Sequence, residues 1–423
     1  MAMNNEQILI YVYADWQNLD GIQPLGKLFS QRIKGKEIFS FEYDEHWLGS
    51  HFSLSLDPNL GLFKGKQFLP EGKPNFGIFL DSSPDRWGRL LMRRREAVMA
   101  RMENRKENTL FETDYLLGVF DEHRMGGIRF RLDEEGTFLN DQKDFAAPHW
   151  TSLRELEFAS LHLEKEDAIE SKQYLKWLNM LIAPGSSLGG ARPKAGVLGE
   201  NGGLWIAKFP SKFDSKDSGA WEMVLNRLAE DCGINVPEAK LLQLSGKQHT
   251  FLSKRFDRTD NGNRIHFASA MTMLGHADGE DYQDGISYLE MVEFLSRHSH
   301  TSNQDLEQLW RRILFNVFVS NTDDHLRNHG FLLEANGWTL SPAYDMNPDE
   351  NGSGLKLNIS ENDNALDPDL VMSVAPYFKL NEEKALHILT EVSSSVENWR
   401  SVAKQAGISS QETERMKNAF RFS

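Results

Sequence analysis

The stretch Asn321–Asp345, NTDDHLRNHGFLLEANGWTLSPAYD, narrows the folds open to this 423-residue chain more than any other. Asp323 stands five residues before Asn328. That D-x-x-x-x-N spacing recurs in phosphoryl-transfer sites, where the Asp takes the proton of the attacking hydroxyl and the Asn holds Mg²⁺. Phe331-Leu332-Leu333, the turn pair Asn336-Gly337 and Trp338-Thr339-Leu340 then predict a hairpin. Folding back along it returns Asp345 to the loop, where a second metal-binding carboxylate belongs. The spacing also fits a helix cap followed by a surface turn, since Asp and Asn are common turn residues. Asp324 competes with Asp323 as a base, but only Asp323 has the five-residue spacing to Asn328.

Composition limits the partners. The 47 Lys and Arg against 62 Asp and Glu leave a net charge of −15. A surface this acidic argues against the chain alone gripping DNA or an anionic membrane. Hydrophobic content of 40% and charged content of 26% are ordinary for a globular protein. The length suits roughly two or three domains. No apolar run reaches about 18 residues, so no membrane span is expected. The start, MAMNNEQILIYVYADW, lacks the basic and long apolar regions of a signal peptide. The single cysteine, Cys232, rules out an internal disulfide and suits a reducing cytoplasm. Its setting in LAEDCGI predicts a buried structural thiol.

Along the chain, Ile8–Tyr13 predicts a buried strand, and Phe39, Phe41 and Tyr43 alternate as on a half-buried one. Ile128, Phe130 and Leu132 alternate too, with Arg129 and Arg131 opposite. Ser83 and Pro84 predict the cap and first turn of a helix that runs into Arg93-Arg94-Arg95. That basic cluster is either a solvated helix face or a docking patch for an acidic partner. Asp141–His149 is the expected linker, followed by helix up to about Leu181. The loop Pro184–Lys194, PGSSLGGARPK, has the small residues that let a backbone close on a phosphate. It matches no standard glycine fingerprint, and a simple turn is the alternative. GLWIAKFP predicts a strand with Lys208 near its end, as in strands whose lysine pairs a nucleotide's phosphates. A helix from about Ser218 carries Glu222, expected in its first turn. There it either orients Lys208 or simply answers the helix dipole. Leu241–Leu244 and Thr250–Phe256 predict paired strands, and Arg255, Asp257 and Arg258 an ion-pair network. Ser302-Asn303 should cap a helix whose Leu306, Trp310, Ile313, Leu314, Val317 and Phe318 recur at helical spacing. Asp349–Asp369 is expected to be a flexible acidic surface loop, and Ser409 with Glu412 a capping box.

TDDHLRN, LSPAYDMNP, SSLGGARPK, FLSKRFDR and DRWGRLLMRRR together resemble the HipA family of bacterial toxin serine/threonine kinases. The resemblance runs over most of the chain. It implies an α+β, two-lobed protein-kinase-like fold. That fold has an extra N-terminal subdomain (1–145), an α/β N-terminal lobe with phosphate loop and ATP lysine (146–258), and an all-helical C-terminal lobe with the catalytic loop (259–423). It implies ATP and Mg²⁺ as cofactors and Asp323 as the catalytic base. The ATP positions carried over are Gly189, Gly190, Ala191, Arg192, Pro193, Lys194, Lys208, Lys254, Arg255, Phe256, His325, Asn328, Tyr344 and Asp345, with Asn328 and Asp345 on the metal. Lys254–Phe256 match hinge-like adenine contacts, and His325 also braces its loop. Ser187 aligns with an autophosphorylation site that shuts off ATP binding, with Ser186 as its alternate. MNPDE after Asp345 departs from the Phe-Gly of ordinary kinases, as the family does. The implied partners are a HipB-like helix-turn-helix antitoxin, DNA only through that antitoxin, and a protein substrate, with an aminoacyl-tRNA synthetase as the precedent. A cytoplasmic location is expected. A small-molecule kinase shares the Asp-Asn-Asp logic, and a non-catalytic co-repressor of the antitoxin is the other alternative.

Overall fold

The computed structural model describes residues 7–141, 146–165, 173–182, 190 and 192–421. It divides into two compact units, one of Met1–Ile206 with Asp257–Ala268 and one of Ala207–Phe256 with Ser269–Ser423. Both mix helix and strand.

The first unit is built on β1 (Gln7–Ala14), β2 (Gln23–Ile33), β3 (Lys36–Tyr43), β4 (Gln67–Phe68) and β5 (Ile128–Arg131). They form one antiparallel sheet in the order β4-β3-β2-β1-β5. Alternation sends Ile10, Val12 and Ala14 of β1 and Phe39, Phe41 and Tyr43 of β3 into the core. Phe79, from a short helix Gly77–Asp81, sits between Phe41 and Phe130 with ring centroids 5.6 and 5.9 Å away. Leu132 lies past the end of β5 and is exposed, so the expected alternation stops at Phe130. The helix Arg86–Met102 is capped by Asp85, which accepts from the Gly88 N–H at 2.8 Å, and not by Ser83. The Ser83 hydroxyl donates backwards to the Phe79 carbonyl, leaving the longer, charged side chain to satisfy the helix start. Arg93 on this helix is exposed, while Arg94 donates to the Leu163 carbonyl. Helices Leu153–Leu163 and Tyr174–Ile182 follow. Then come β6 (Lys194–Leu198) and β7 (Leu204–Lys208), neighbouring strands closed by a Gly199 N–H to Gly203 carbonyl bond of 2.8 Å.

The second unit begins inside β7, at Ala207. The helix Ser218–Asp231 leads to β8 (Ala239–Leu242) and β9 (Thr250–Lys254), an antiparallel pair. The chain re-enters this unit through the end of β10 (His266–Ser269). Helices Tyr288–His298 and Ser302–Val319 follow, then the hairpin β11 (Gly330–Glu334) and β12 (Gly337–Leu340). The region 259–423 is therefore not all helix. Glu334 pairs with Gly337, so the two-residue turn is Ala335-Asn336, one step earlier than the Asn336-Gly337 expected. Thr301, not Ser302-Asn303, precedes the first turn of the helix Ser302–Val319. From Leu309 on that helix is buried on every side, Arg311, Arg312 and Asn316 included, and Leu306, Trp310, Ile313, Leu314 and Val317 have no exposed surface.

Asp349–Asp369 is not a loose surface loop. Leu355, Leu357 and Ile359 are buried, and Asn358 bonds to the Ile286 and Tyr288 backbone. The alternating apolar side chains inside the acidic stretch were the overlooked signal. Ser409 caps the helix Ser410–Met416 by accepting from the Glu412 N–H. The Glu412 carboxylate completes no capping box. It accepts from the Asp217 N–H and the Trp221 indole, both at 2.8 Å. Cys232, just past the helix Ser218–Asp231, is buried, and burial pushes its thiol up to about 12. No helix among the described residues is long and apolar enough to cross a membrane.

Candidate active site

The site is assembled inside the second unit. The helix Ser302–Val319 ends at Ser320, in the left-handed region at φ 48°. Its N–H closes on the Asn316 and Val317 carbonyls, which turns the chain sharply into Asn321–Asn328. Asp323 points to solvent, and its carboxylate accepts no hydrogen bond among the described residues. Its neighbour Asp324 is buried and accepts from the Tyr288 hydroxyl at 2.5 Å, Asn316 Nδ2 at 2.6 Å and His329 Nε2 at 2.9 Å. Only Asp323 is thus available to a reactant, which separates two carboxylates that competed in the sequence.

Asn328 is 4% exposed. Its Nδ2 donates to the Asp323 carbonyl at 2.9 Å, while its Oδ1 is buried with no donor among the described residues. A buried acceptor left open costs roughly 1–3 kcal/mol, a cost that a cation or a donor at Asn328 Oδ1 would relieve. Asp345 lies in the left-handed region at φ 59°, a conformation that costs a non-glycine residue about 1–3 kcal/mol. Its Oδ1 accepts from Lys208 Nζ at 2.7 Å. The same ammonium donates to Glu222 Oε1 at 2.5 Å. Glu222 is in the second turn of its helix, not the first, so the dipole does not explain it. It is placed there to meet Lys208. Burial alone would depress the Lys208 ammonium, but the Asp345 and Glu222 carboxylates outweigh it and hold its pKa above the usual lysine value.

Several contacts tie the Asp345 segment to the loop, the Thr322 hydroxyl donating to the Asp349 carboxylate at 3.1 Å among them. The Tyr344 hydroxyl donates to the Arg327 carbonyl at 2.8 Å, and the Asn347 N–H donates to Asn321 Oδ1 at 3.0 Å. Phe256 packs on Tyr344 with ring centroids 5.4 Å apart. Lys254 ends β9, its N–H on the Glu238 carbonyl, and Arg255 is buried. The His325 N–H donates to the Asp323 carbonyl, and its own carbonyl accepts from the Asn328 N–H at 2.8 Å, which braces the loop.

The remaining expected positions belong to the first unit or lie outside the described residues. Ser186, Ser187, Gly189 and Ala191 lie outside them. Gly190 has φ 77°, a conformation that glycine adopts without strain. Pro193 is buried and Arg192 half-buried. Lys194 was expected on the nucleotide, yet its ammonium is 2.7 Å from the Asp85 carboxylate and also donates to the Gly190 carbonyl at 3.1 Å. Arg258 pairs with Asp257, as the expected ion-pair network required of those two residues.

Asn328 and Asp345 offer one amide and one carboxylate oxygen, a sparse set that fits Mg²⁺, which keeps waters and substrate phosphates as its other ligands. No cluster of three or more His, Cys, Asp or Glu residues able to hold a metal occurs among the described residues. Sequence reasoning missed the buried roles of Asn316 and Asn321. An asparagine inside the apolar run ILFNVFV was the available signal.

Known proteins resemble this chain at both levels. A Haemophilus influenzae protein with a provisional kinase name is 28% identical over 129 residues, 28% of this chain and 38% of that protein. The serine/threonine-protein kinase toxin HipA of Shewanella oneidensis is 26% identical over 145 residues, 30% of this chain and 33% of that protein. The chain spans 33–52% of the length of the curated relatives it matches. The structure of Shewanella oneidensis HipA, solved with HipB and operator DNA, superposes with a TM-score of 0.64 at 16% identity, covering 97% of this chain and 94% of that one. The fold is that of HipA. The HipA-like C-terminal domain matches residues 186–400, just over half of the chain, and the chain belongs to that family.

Proposed function

We propose that this chain is an ATP-dependent serine/threonine protein kinase of the HipA type. The observation that carries the reading is Lys208 held between Glu222 and Asp345, at 2.5 and 2.7 Å. The arrangement supports the reading because a kinase needs a lysine–glutamate pair and a metal-binding aspartate in place together. Bound Mg²⁺-ATP supplies the phosphoryl group and the metal charge. Asn328 Oδ1 and the Asp345 carboxylate would hold the metal, and Lys208 would hold the phosphates. Asp323, exposed beside them, would orient the substrate hydroxyl and take its proton. Fixed charges and fixed geometry would supply most of the acceleration.

The finer parts follow the family. Gly189–Lys194 would close over the phosphates, and Lys254–Phe256 with Tyr344 and His325 would line the nucleotide. Ser187, or Ser186 beside it, would be autophosphorylated, silencing the protein. The substrate would be a protein, on the precedent of an aminoacyl-tRNA synthetase, and the setting cytoplasmic. A HipB-like antitoxin would neutralise the kinase and carry it to DNA. The solved complex of the Shewanella HipA with HipB and operator DNA supports that partner. The net charge of −15 supports contact with DNA only through it.

The test is intact-mass analysis of the purified chain before and after Mg²⁺-ATP, with phosphosite mapping and an Asp323→Ala control. Phosphate on Ser186 or Ser187 that the control lacks is the expected result. Wild-type and Asp323→Ala protein phosphorylated alike would overturn the assignment of the base. Tight ATP binding with labelled metabolites and no labelled protein would instead point to a small-molecule kinase.

A further inference from the structure

The buried carboxylate of Asp324 has no part in the mechanism above, yet it accepts three side-chain hydrogen bonds. Tyr288, Asn316 and His329 all donate to its Oδ2, at 2.5, 2.6 and 2.9 Å. The four residues are 0–4% exposed. They come from four places: the start of the helix Tyr288–His298, the last turn of the helix Ser302–Val319, the loop itself and the residue before β11. An ionised carboxylate only accepts, so His329 presents Nε2–H here. The chain of bonds continues. Asn316 Oδ1 accepts from Asn321 Nδ2 at 3.0 Å, and Asn321 Oδ1 accepts from the Asn347 N–H at 3.0 Å. One connected path thus runs from the carboxylate next to Asp323 to the backbone two residues past Asp345.

We propose that Asp324 is a positioning residue, which through Asn316 and Asn321 sets the register between the Asp323–Asn328 loop and the Asp345 segment. The inference rests on the kinase reading for its consequence but not for its geometry. Asp324, Asn316 and Asn321 are buried, Asn347 is half-buried, and each bonds to the next. Losing the charge of Asp324 turns three charge-assisted hydrogen bonds into weaker neutral ones, and the loop is held less firmly. A misplacement of about 1 Å at a reacting group costs about a hundredfold in rate.

The experiment compares wild type, Asp324→Asn and Tyr288→Phe in the full chain. Backbone amide exchange is read at 321–328 and 347, and Mg²⁺-ATP turnover is split into kcat and KM. Exchange should quicken about tenfold or more at those positions in Asp324→Asn while β11 and β12 keep their protection. Turnover should fall about a hundredfold in kcat with KM for ATP within about twofold. Tyr288→Phe, which removes one of three bonds, should show the same pattern more weakly. Unchanged exchange in Asp324→Asn overturns the proposal, and so does quickened exchange with normal kcat. Protection lost throughout the unit in both variants overturns it too, because the group would then serve folding alone. A wild type without Mg²⁺-ATP turnover would sink the kinase reading, and the exchange result would still decide this one.

Discussion

Lys194 and Asp85 form a buried ion pair, with side chains 3% and 2% exposed and 2.7 Å between the charges. Asp85 also caps the helix Arg86–Met102, so one carboxylate serves a helix start and a buried ammonium. Taking two charges out of water costs several kcal/mol each, and removing one partner strands the other. Asp85→Ala should therefore destabilise the chain by about 3–5 kcal/mol, read as a lower urea midpoint. Pairing it with Lys194→Met should recover a large part of the loss, because the stranded charge is gone. A single-variant loss below about 1 kcal/mol would mean that water reaches the pair. Lys194 was legible in the sequence as part of a loop ending in a lysine. Its partner was not, because 109 positions separate them.

At the scale of elements, the segment after β10 is pinned to the helix Tyr288–His298 by one histidine. His276 Nδ1 meets Glu280 at 2.9 Å and its Nε2 meets Glu290 at 2.6 Å. The Glu290 hydrogen bond raises the His276 pKa above 6.5, with the Glu280 bond adding to it and burial working against both. A histidine raised in the folded state stabilises the protein fully below its unfolded value, and the contribution fades as pH rises through the folded value. His276→Gln should thus lower the melting temperature at pH 6 and leave it nearly unchanged at pH 9. Equal effects at both pH values would assign the loss to packing. Periodicity made the neighbouring helix Ser302–Val319 readable, because a run of buried apolar side chains shows its repeat in sequence. Caps were less readable. Thr301 and Asp85 took positions that local rules gave to a neighbour, and Glu412 left its expected capping box for the Asp217 N–H. Which polar side chain serves a helix end depends on what else competes for it in space.

For the whole molecule, the two units give a ligand test. A ligand that binds only the folded protein stabilises it by about 2.7 kcal/mol at a hundred times its Kd. At about 2–4 °C per kcal/mol for a unit of this size, Mg²⁺-ATP should raise the melting temperature by roughly 5–10 °C. On the proposed reading Asp345→Asn should lose most of that rise, since it takes the charge from the proposed metal ligand and from one of the two carboxylates on Lys208. A shift that persists in the variant, or needs no Mg²⁺, would place nucleotide binding elsewhere.

By itself the sequence determined the local and the compositional. It set the strands by their alternation and the long helices by their repeat. It also set the D-x-x-x-x-N spacing within one loop and the net charge of −15. These follow from residues close in the chain or from simple sums. The tertiary structure decided what depends on distant residues meeting. It left Asp323 exposed and buried its neighbour Asp324. It brought Lys208 to Asp345 across 137 positions and turned Lys194 to Asp85. It also folded an acidic stretch onto Leu355, Leu357 and Ile359. The reason is physical. A charged or polar group costs free energy when buried without a partner, and only the packed chain settles which partner is there.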